Sequence, residues 1–245
     1  MKISKTLQIG AAALLLSSTA MADSVDLSSW EGTTGGSWNL QTGNNAVLQT
    51  TNGSPTIFHN DLDSQGSALS GTIKVQTASD NDYIGFVLGY NDGDLANSAA
   101  NYILIDWKQA DQDAYSASGQ AGLSISKVTG ELGRTDAWGH TGNVTELQRG
   151  LTLGNTGWAD HTEYTFDLIF TASLIEVSVD GNTELSITGS FDNGSFGFYN
   201  FSQGNVLYAG IQESTLPEVP LPAAFFMFAP ALLGFMGLRR KAKAA

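Results

Sequence analysis

The chain contains no cysteine. That absence excludes disulfide staples, thiol catalysis and cysteine metal sites, so an exported fold must hold by its core, with or without a metal. Basic residues are scarce too. Between Asp23 and Glu218 only Lys74, Lys108, Lys127, Arg134 and Arg149 are basic, against all 24 acidic residues, a net charge of −19 in a chain of net −13. Phosphate contacts need lysine and arginine, so a nucleic-acid partner is excluded. Self-repulsion of this size costs stability, and bound divalent cations would relieve it; an acidic surface that only maintains solubility is the plainer alternative.

Several catalytic signatures are missing as well. There is no Gly-x-Ser-x-Gly nucleophile elbow. There is no Glu-x-Asp, the start of the Glu-x-Asp-x-x-Glu strand on which sandwich glycosidases often carry their paired carboxyls. His59, His140 and His161 lack metal-ligand spacing, and His140 is expected to make a hydrogen bond within its own loop. These absences point away from an enzyme.

What is present is the composition of an exported β protein: 28 glycines, 42% hydrophobic residues and only 14% charged. The 245 residues suffice for one large β domain or two small ones. Strand-like runs occur at 46–51, 56–59, 69–77, 83–90, 102–108, 122–128, 164–170, 174–180, 184–188, 195–201 and 206–211. Short runs at this spacing, without long helical periods, predict an all-β sandwich. The late hairpin shows the alternation best: Ile175, Val177 and Val179 face inward, Glu176 and Ser178 outward, and Asp180-Gly181-Asn182 makes the turn. Residues 23–37 read as a lead-in or short edge strand. Residues 129–160 read as a long ordered loop anchored by Trp138 and Trp158. There is no internal repeat and no linker before Glu213, which predicts one sandwich over residues 23–212.

The two ends carry sorting information. Residues 1–22 have a positive start (Lys2, Lys5), a short apolar run and Ala20-Met21-Ala22, the pattern of a cleaved secretory signal. Residues 213–220 form a linker. It leads to an apolar run over 221–238 and a basic end, Arg239-Arg240-Lys241, within 239–245. Eighteen apolar residues are near the minimum for a spanning helix, and the basic cluster would stay cytoplasmic. The set Pro217, Glu218, Val219, Pro220 and Pro222, the apolar run, then Arg239 and Arg240 resembles the PEP-CTERM sorting signal. That resemblance implies an exosortase-type sorting enzyme as partner, an inner-membrane intermediate and release to the surface of a Gram-negative cell or its extracellular matrix. Val219 interrupts the literal Pro-Glu-Pro.

The stretch from residue 80 to 109 carries the most chemistry. Asp80, Asn81 and Asp82 bring three oxygen-bearing side chains to the start of a strand, an entrance suited to a hard cation such as calcium. Alternate strand residues point to opposite faces, so further ligands would have to come from elsewhere, with Asp61, Asp63 and Asp106 as candidates. A plain Asp/Asn turn is the alternative. Asn91-Asp92-Gly93-Asp94 lacks the closing glutamate of an EF-hand and reads as a solvated turn.

Asp80-Asn81-Asp82-Tyr83-x-Gly85-Phe86-Val87-x-Gly89-Tyr90 and Trp107-Lys108-Gln109 resemble the thrombospondin C-terminal domain. So do Ala121-Gly122-Leu123-Ser124, Trp138 with His140-Thr141-Gly142-Asn143, Gly157-Trp158, Gly197-Phe198 and Phe201-Ser202-Gln203. The resemblance runs from about Gln49 to Ile211. It implies a concanavalin/legume-lectin-like jelly-roll sandwich, calcium binding and a role in adhesion, with exopolysaccharide or another surface protein as partner. The alternatives are a lectin with a defined sugar ligand and, behind it, a glycan hydrolase on the same scaffold. Three departures stand out. The calcium-binding repeats that precede this domain in animal thrombospondins are absent, the 91–100 loop is longer and more acidic, and Gly139 separates Trp138 from His140.

Overall fold

The computed structural model describes residues 22–216. The expected signal segment lies outside them except for Ala22. The Pro-rich motif at 217–222, the apolar run 221–238, and Arg239 and Arg240 also lie outside. Among the described residues no helix is long and apolar enough to cross a membrane.

Among the described residues, seventeen strands, one α-helix and two short 3-10 turns build the domain. In chain order the strands and helix are β1 (Asp23–Ser24), β2 (Glu31–Gly32), β3 (Trp38–Leu40), β4 (Ala46–Gln49), β5 (Thr56–His59), β6 (Ser67–Val75), β7 (Tyr83–Tyr90), β8 (Asn101–Lys108), β9 (Gln112–Ala114), β10 (Ala117–Gly119), β11 (Gly122–Thr129), the helix α1 (Arg134–Gly139), β12 (Val144–Arg149), β13 (Glu163–Phe170), β14 (Leu174–Val179), β15 (Asn182–Thr188), β16 (Ser195–Phe201) and β17 (Val206–Thr215). All eleven runs read from the sequence are strands, because each alternates or is continuously apolar between turn residues. β17 runs past residue 212, to Thr215. The Asp180–Gly181 turn has positive φ at both positions (49° and 75°), the geometry of a tight two-residue hairpin.

Two corrections fall on the connecting segments. Residues 129–160 hold α1 and β12. β12 is an edge strand with Thr145, Glu146 and Leu147 exposed, so it lacks the apolar alternation that would mark it. The Asn91–Asp94 segment is also not simply solvated. Asp94 is buried and accepts from the Asn91 backbone N–H (3.0 Å) and from Asn97 Nδ2 (2.9 Å), closing the turn on itself.

The strands form two large antiparallel sheets and a separate β9–β10 hairpin. One has the order β15-β14-β13-β6-β17-β4-β3 with β1 added on β17; the other has β12-β11-β8-β7-β16-β5-β2. The main core lies between them. Ile84, Phe86 and Leu88 of β7, Ile103, Ile105 and Trp107 of β8, and Phe196 and Phe198 of β16 meet Phe166, Leu168 and Phe170 of β13 and Ile175 and Val177 of β14. Phe198 stacks on Tyr208 (4.4 Å between centroids), and Phe86 packs on Phe166 (4.5 Å). Each fully buried Phe of this kind contributes about 1.5–3 kcal/mol.

A second core covers the other face of the seven-stranded sheet. Ile57, Tyr83, Val87, Tyr90, Tyr102, Leu104, Tyr199 and Phe201 project outward and are roofed by Ala100, Leu132, Ala137, Trp138 and Val144. β7, β8 and β16 are therefore buried on both faces, which explains their continuous aromatic and aliphatic sequences. Tyr90 joins this layer through a bulge: β16 pairs Ser195 with Tyr90 and Phe196 with Leu88, skipping Gly89 (φ 73°). Every residue named in the sheets, both cores and their roof lies within residues 23–216.

Candidate functional site

The outward face of β8 alternates Tyr102, Leu104, Asp106 and Lys108. Two opposite charges thus follow Tyr102 and Leu104 on one strand face, and each becomes the centre of a polar hub beneath the roof.

Lys108 is fully buried. Its Nζ lies 2.7 Å from Asp82 Oδ1, 3.2 Å from the Asn81 carbonyl oxygen, 3.4 Å from Asn81 Oδ1 and 3.2 Å from Gln112 Oε1. The same ammonium sits over the Trp138 ring (4.3 Å) and near that of Tyr83 (5.2 Å). Burial pushes the Asp82 carboxyl up and pulls the Lys108 ammonium down, and the ion pair works against both shifts. Four oxygens and two ring faces around one nitrogen hold it as a cation. The shell is itself fixed. Tyr83 OH donates to the Trp138 carbonyl (2.6 Å), Trp138 Nε1 to the Gln112 carbonyl (3.0 Å), Trp158 Nε1 to the Asp82 carbonyl (3.0 Å), and the Asp82 N–H to Gln203 Oε1 (3.0 Å). Trp138 and Trp158 anchor their loops, as expected, and do so through their indole N–H groups.

This arrangement bears directly on calcium. Asp80 and Asp82 lie side by side at the strand entrance, but among the described residues the candidate acids form no group of three. Asp82 and Asn81 give their oxygens to Lys108. The Asp80 carboxylate accepts from the Asn52 side chain and from the Asn81 N–H (3.0 Å). Asp61 and Asp63 are exposed on the loop after β5. Asp106 accepts from Ser124 Oγ (2.9 Å) and His140 Nε2 (2.9 Å). Among the described residues no three His, Cys, Asp or Glu side chains are grouped to hold a metal ion. At the strand entrance a lysine from the neighbouring strand, paired in register with Tyr83, takes up the oxygens of Asn81 and Asp82.

The second hub starts at Asp106. Across the sheet Asp106 is level with Ser124, and Ser124 with Arg149. His140 enters from above as the C-cap of α1, with φ 48°. Gly139 makes this approach possible, since a Cβ there would stand 2.7 Å from that of Ala117 on β10. The imidazole bridges two carboxylates, Asp106 at Nε2 (2.9 Å) and Glu146 at Nδ1 (3.2 Å). His140 thus ties α1 to β8 and β12 and does not serve its own loop alone. Arg149 continues the chain, donating from Nη1 to Glu146 (2.8 Å), from Nε to Gly154 O (2.6 Å) and from Nη2 to Ala121 O (2.6 Å). Burial alone would lower the His140 pKa, but the Asp106 and Glu146 carboxylates push it up to about 10. The hydrogen bond from His140 and the Arg149 charge hold Glu146 below its ordinary value, against its burial. An imidazolium with both nitrogens donating has no lone pair for base catalysis. His59 differs. It is buried beside Tyr90, and burial lowers its pKa toward the neutral form.

A cleft of about 240 Å³ opens above this hub, lined by His140, Glu146, Arg149, Trp138, Ser118 and Gln120. An adjoining, more open depression of about 310 Å³ shares Ser118 and runs along the β9–β10 hairpin past Asp113 and Ser116. Sequence reasoning assigned no role to Lys108, Glu146 or Arg149. The available signal was two opposite charges at i and i+2 at the end of a run of Tyr, Ile, Leu and Trp.

A two-sheet jelly-roll with these features is a lectin-like β-sandwich. Solved structures with the same fold include the carbohydrate-binding module CBM66 from Bacillus subtilis (TM-score 0.54, 8% identity, covering 76% of this chain and 95% of that one). Another is the exoplasmic/lumenal domain of VIP36 in its Ca2+/Man2-bound form (TM-score 0.52, 15% identity, 80% and 84%). The chain belongs to the thrombospondin C-terminal region family, which matches residues 33–215. Similar curated proteins are human thrombospondin-3 (28% identity, 70% of this chain and 20% of that protein), chicken thrombospondin-2 (31%, 71% and 16%) and bovine cartilage oligomeric matrix protein (28%, 70% and 25%). The chain spans a quarter or less of the length of these relatives.

Proposed function

We propose that this protein is a non-catalytic, exported adhesion or extracellular-matrix module, sorted to the cell surface through its C-terminal signal by an exosortase-type enzyme. The observation that carries the reading is the state of its buried ionisable groups: Lys108 is sealed under the roof with Asp82, and His140 is locked between Asp106 and Glu146. Neither is free to act as nucleophile or base, so the polar hubs serve to hold a rigid binding surface. Membership of the thrombospondin C-terminal family supports an extracellular role. The family also supports calcium binding, which in this chain would fall on the acidic surface outside the Lys108 seat. The partner would be exopolysaccharide or another surface protein. The test is retention of purified residues 23–216 on the producing cell's own extracellular matrix, and failure to bind would overturn the reading. Loss of the exosortase should leave the full chain in the inner membrane.

A lectin is the second reading. The polar cleft beside His140 favours it, as do the names of two structures of like fold, a carbohydrate-binding module and a mannose-bound lumenal domain.

A further inference from the structure

We infer that the cleft beside His140 is a binding site for a neutral, polyhydroxylated ligand, one sugar unit of a longer glycan, with Glu146 and Arg149 as its recognition pair. The inference rests on the exported-matrix reading and names the ligand class of that surface.

The charges of the hub come first. Asp106 and Glu146 are balanced by His140 and Arg149, so the cleft offers no net charge to a phosphate, sulfate or carboxylate. Both N–H groups of His140 are spent on carboxylates. Glu146 receives His140 and Arg149 on the same oxygen, Oε2. Among the described residues its Oε1 receives no hydrogen bond and remains an acceptor. Among the described residues Arg149 uses three of its five N–H groups, leaving donors beside that acceptor. A fixed acceptor next to a fixed donor is the complement of a hydroxyl group, which donates and accepts at once. Ser118, whose hydroxyl donates to Asp113 Oδ1 (2.6 Å), adds an acceptor to the lining, and Gln120 adds a neutral amide.

Preorganisation distinguishes this pair from an ordinary surface ion pair. Glu146 lies on an edge strand, yet His140, anchored on buried Asp106, and Arg149, anchored on two backbone carbonyls, fix its carboxylate from two sides. Side-chain ordering is then settled before a ligand arrives, which removes part of the cost of binding. Size sets the next limit. About 240 Å³ is below the ~300–1,000 Å³ of sites for drug-sized ligands, so the cleft takes a single small unit. The adjoining depression along Asp113, Ser116 and Ser118 gives the next unit of a chain somewhere to lie.

The experiment is saturation-transfer NMR on residues 23–216 with the methyl glycosides of glucose, galactose and mannose, the disaccharides of these neutral sugars, and the methyl glycosides of galacturonate and glucosamine as charged comparisons. Two variants accompany the wild type. Glu146→Gln alters the recognition pair. Ser118→Trp fills the cleft from an exposed position on the hairpin and leaves the hub intact, and its unchanged melt confirms folding. Transfer to at least one neutral glycoside, stronger for its disaccharide and at least tenfold weaker in both variants, is the expected result. No transfer to any glycoside, equal transfer in the folded Ser118→Trp variant, or preference for galacturonate or glucosamine over the neutral sugars would overturn the assignment. Matrix retention without glycoside binding removes the cleft proposal and leaves the matrix reading standing; glycoside binding without matrix retention does the reverse.

Discussion

The Lys108 ammonium and the Asp82 carboxylate meet at 2.7 Å, with both groups closed off from solvent. One side of the pair comes from the end of β8 and the other from the approach to β7, and the Trp138 roof lies against it. Lys108→Met removes the cation and leaves Asp82 buried without its partner. Breaking a buried pair in this way costs about 3–5 kcal/mol, and the roof should loosen with it. Urea unfolding of Lys108→Met, with Trp fluorescence as the local probe, should show that loss. A Lys108→Met/Asp82→Leu double variant should recover part of it, because the orphaned charge is gone. A single variant as stable as the wild type would mean that the pair is dispensable.

His140 gives the domain a pH dependence of definite sign. Its pKa is raised from 6.5 to about 10 in the fold. A raised folded-state pKa contributes stability that is full below the unfolded value and is lost as pH rises through the folded one. Stability should therefore fall between about pH 6.5 and pH 10. Glu146 has the opposite sense: its lowered pKa contributes stability above the ordinary carboxylate range that is lost on acidification. Denaturant midpoints from pH 5 to pH 10 should decline on the alkaline side for the wild type and stay flatter in His140→Gln. Parallel curves for the two proteins would remove His140 as the source.

Much of the fold was legible because its strands obey simple rules. The 174–179 alternation, the Asp180–Gly181 turn and the aromatic run of β7 each follow from local sequence. The misses share a physical cause. β12 lies at a sheet edge, where exposed Glu146 and Leu147 carry no period, and α1 is six residues long, too short for a helical pattern. The hubs were illegible for another reason. Asp80–Asp82 was correctly placed at the β7 entrance, but the cation that fills it arrives across the ladder as Lys108. Likewise, Asp106 meets its partner His140 across 34 residues of sequence. Cross-strand neighbours are set by register, and a single sequence does not display register.

Gly85 tests the packing between β7 and β8. A Cβ at this position would stand 2.0 Å from the Ile105 carbonyl oxygen and 2.9 Å from the Asp106 Cα. The obstacles are backbone atoms of the neighbouring strand, which yield only if the ladder opens. Overpacking into side chains costs about 1–3 kcal/mol, and this site should exceed that range. Gly85→Ala is expected to lose more than ~3 kcal/mol or to fail to fold, read by thermal melting and by the yield of soluble protein. A melt within a few degrees of wild type would show that the ladder can part there.

Calcium provides the last test, and the geometry determines which residues should matter. The span from Asp23 to Glu218 carries a net −19, so divalent cations have an electrostatic reason to bind the folded surface. A ligand that binds only the native state raises its melting temperature as its concentration passes its Kd. The strand entrance, however, is occupied by Lys108, and its Asp82 is spent on that ammonium. Calcium titrated into chelated residues 23–216 should therefore raise the melting temperature of the wild type and of Asp82→Asn by the same increment, although the variant starts lower. A shift lost in Asp82→Asn would put the ion at the strand entrance and overturn the assignment of that seat to Lys108. No shift in either protein would remove calcium from the proposed function, leaving the acidic surface a solubility device.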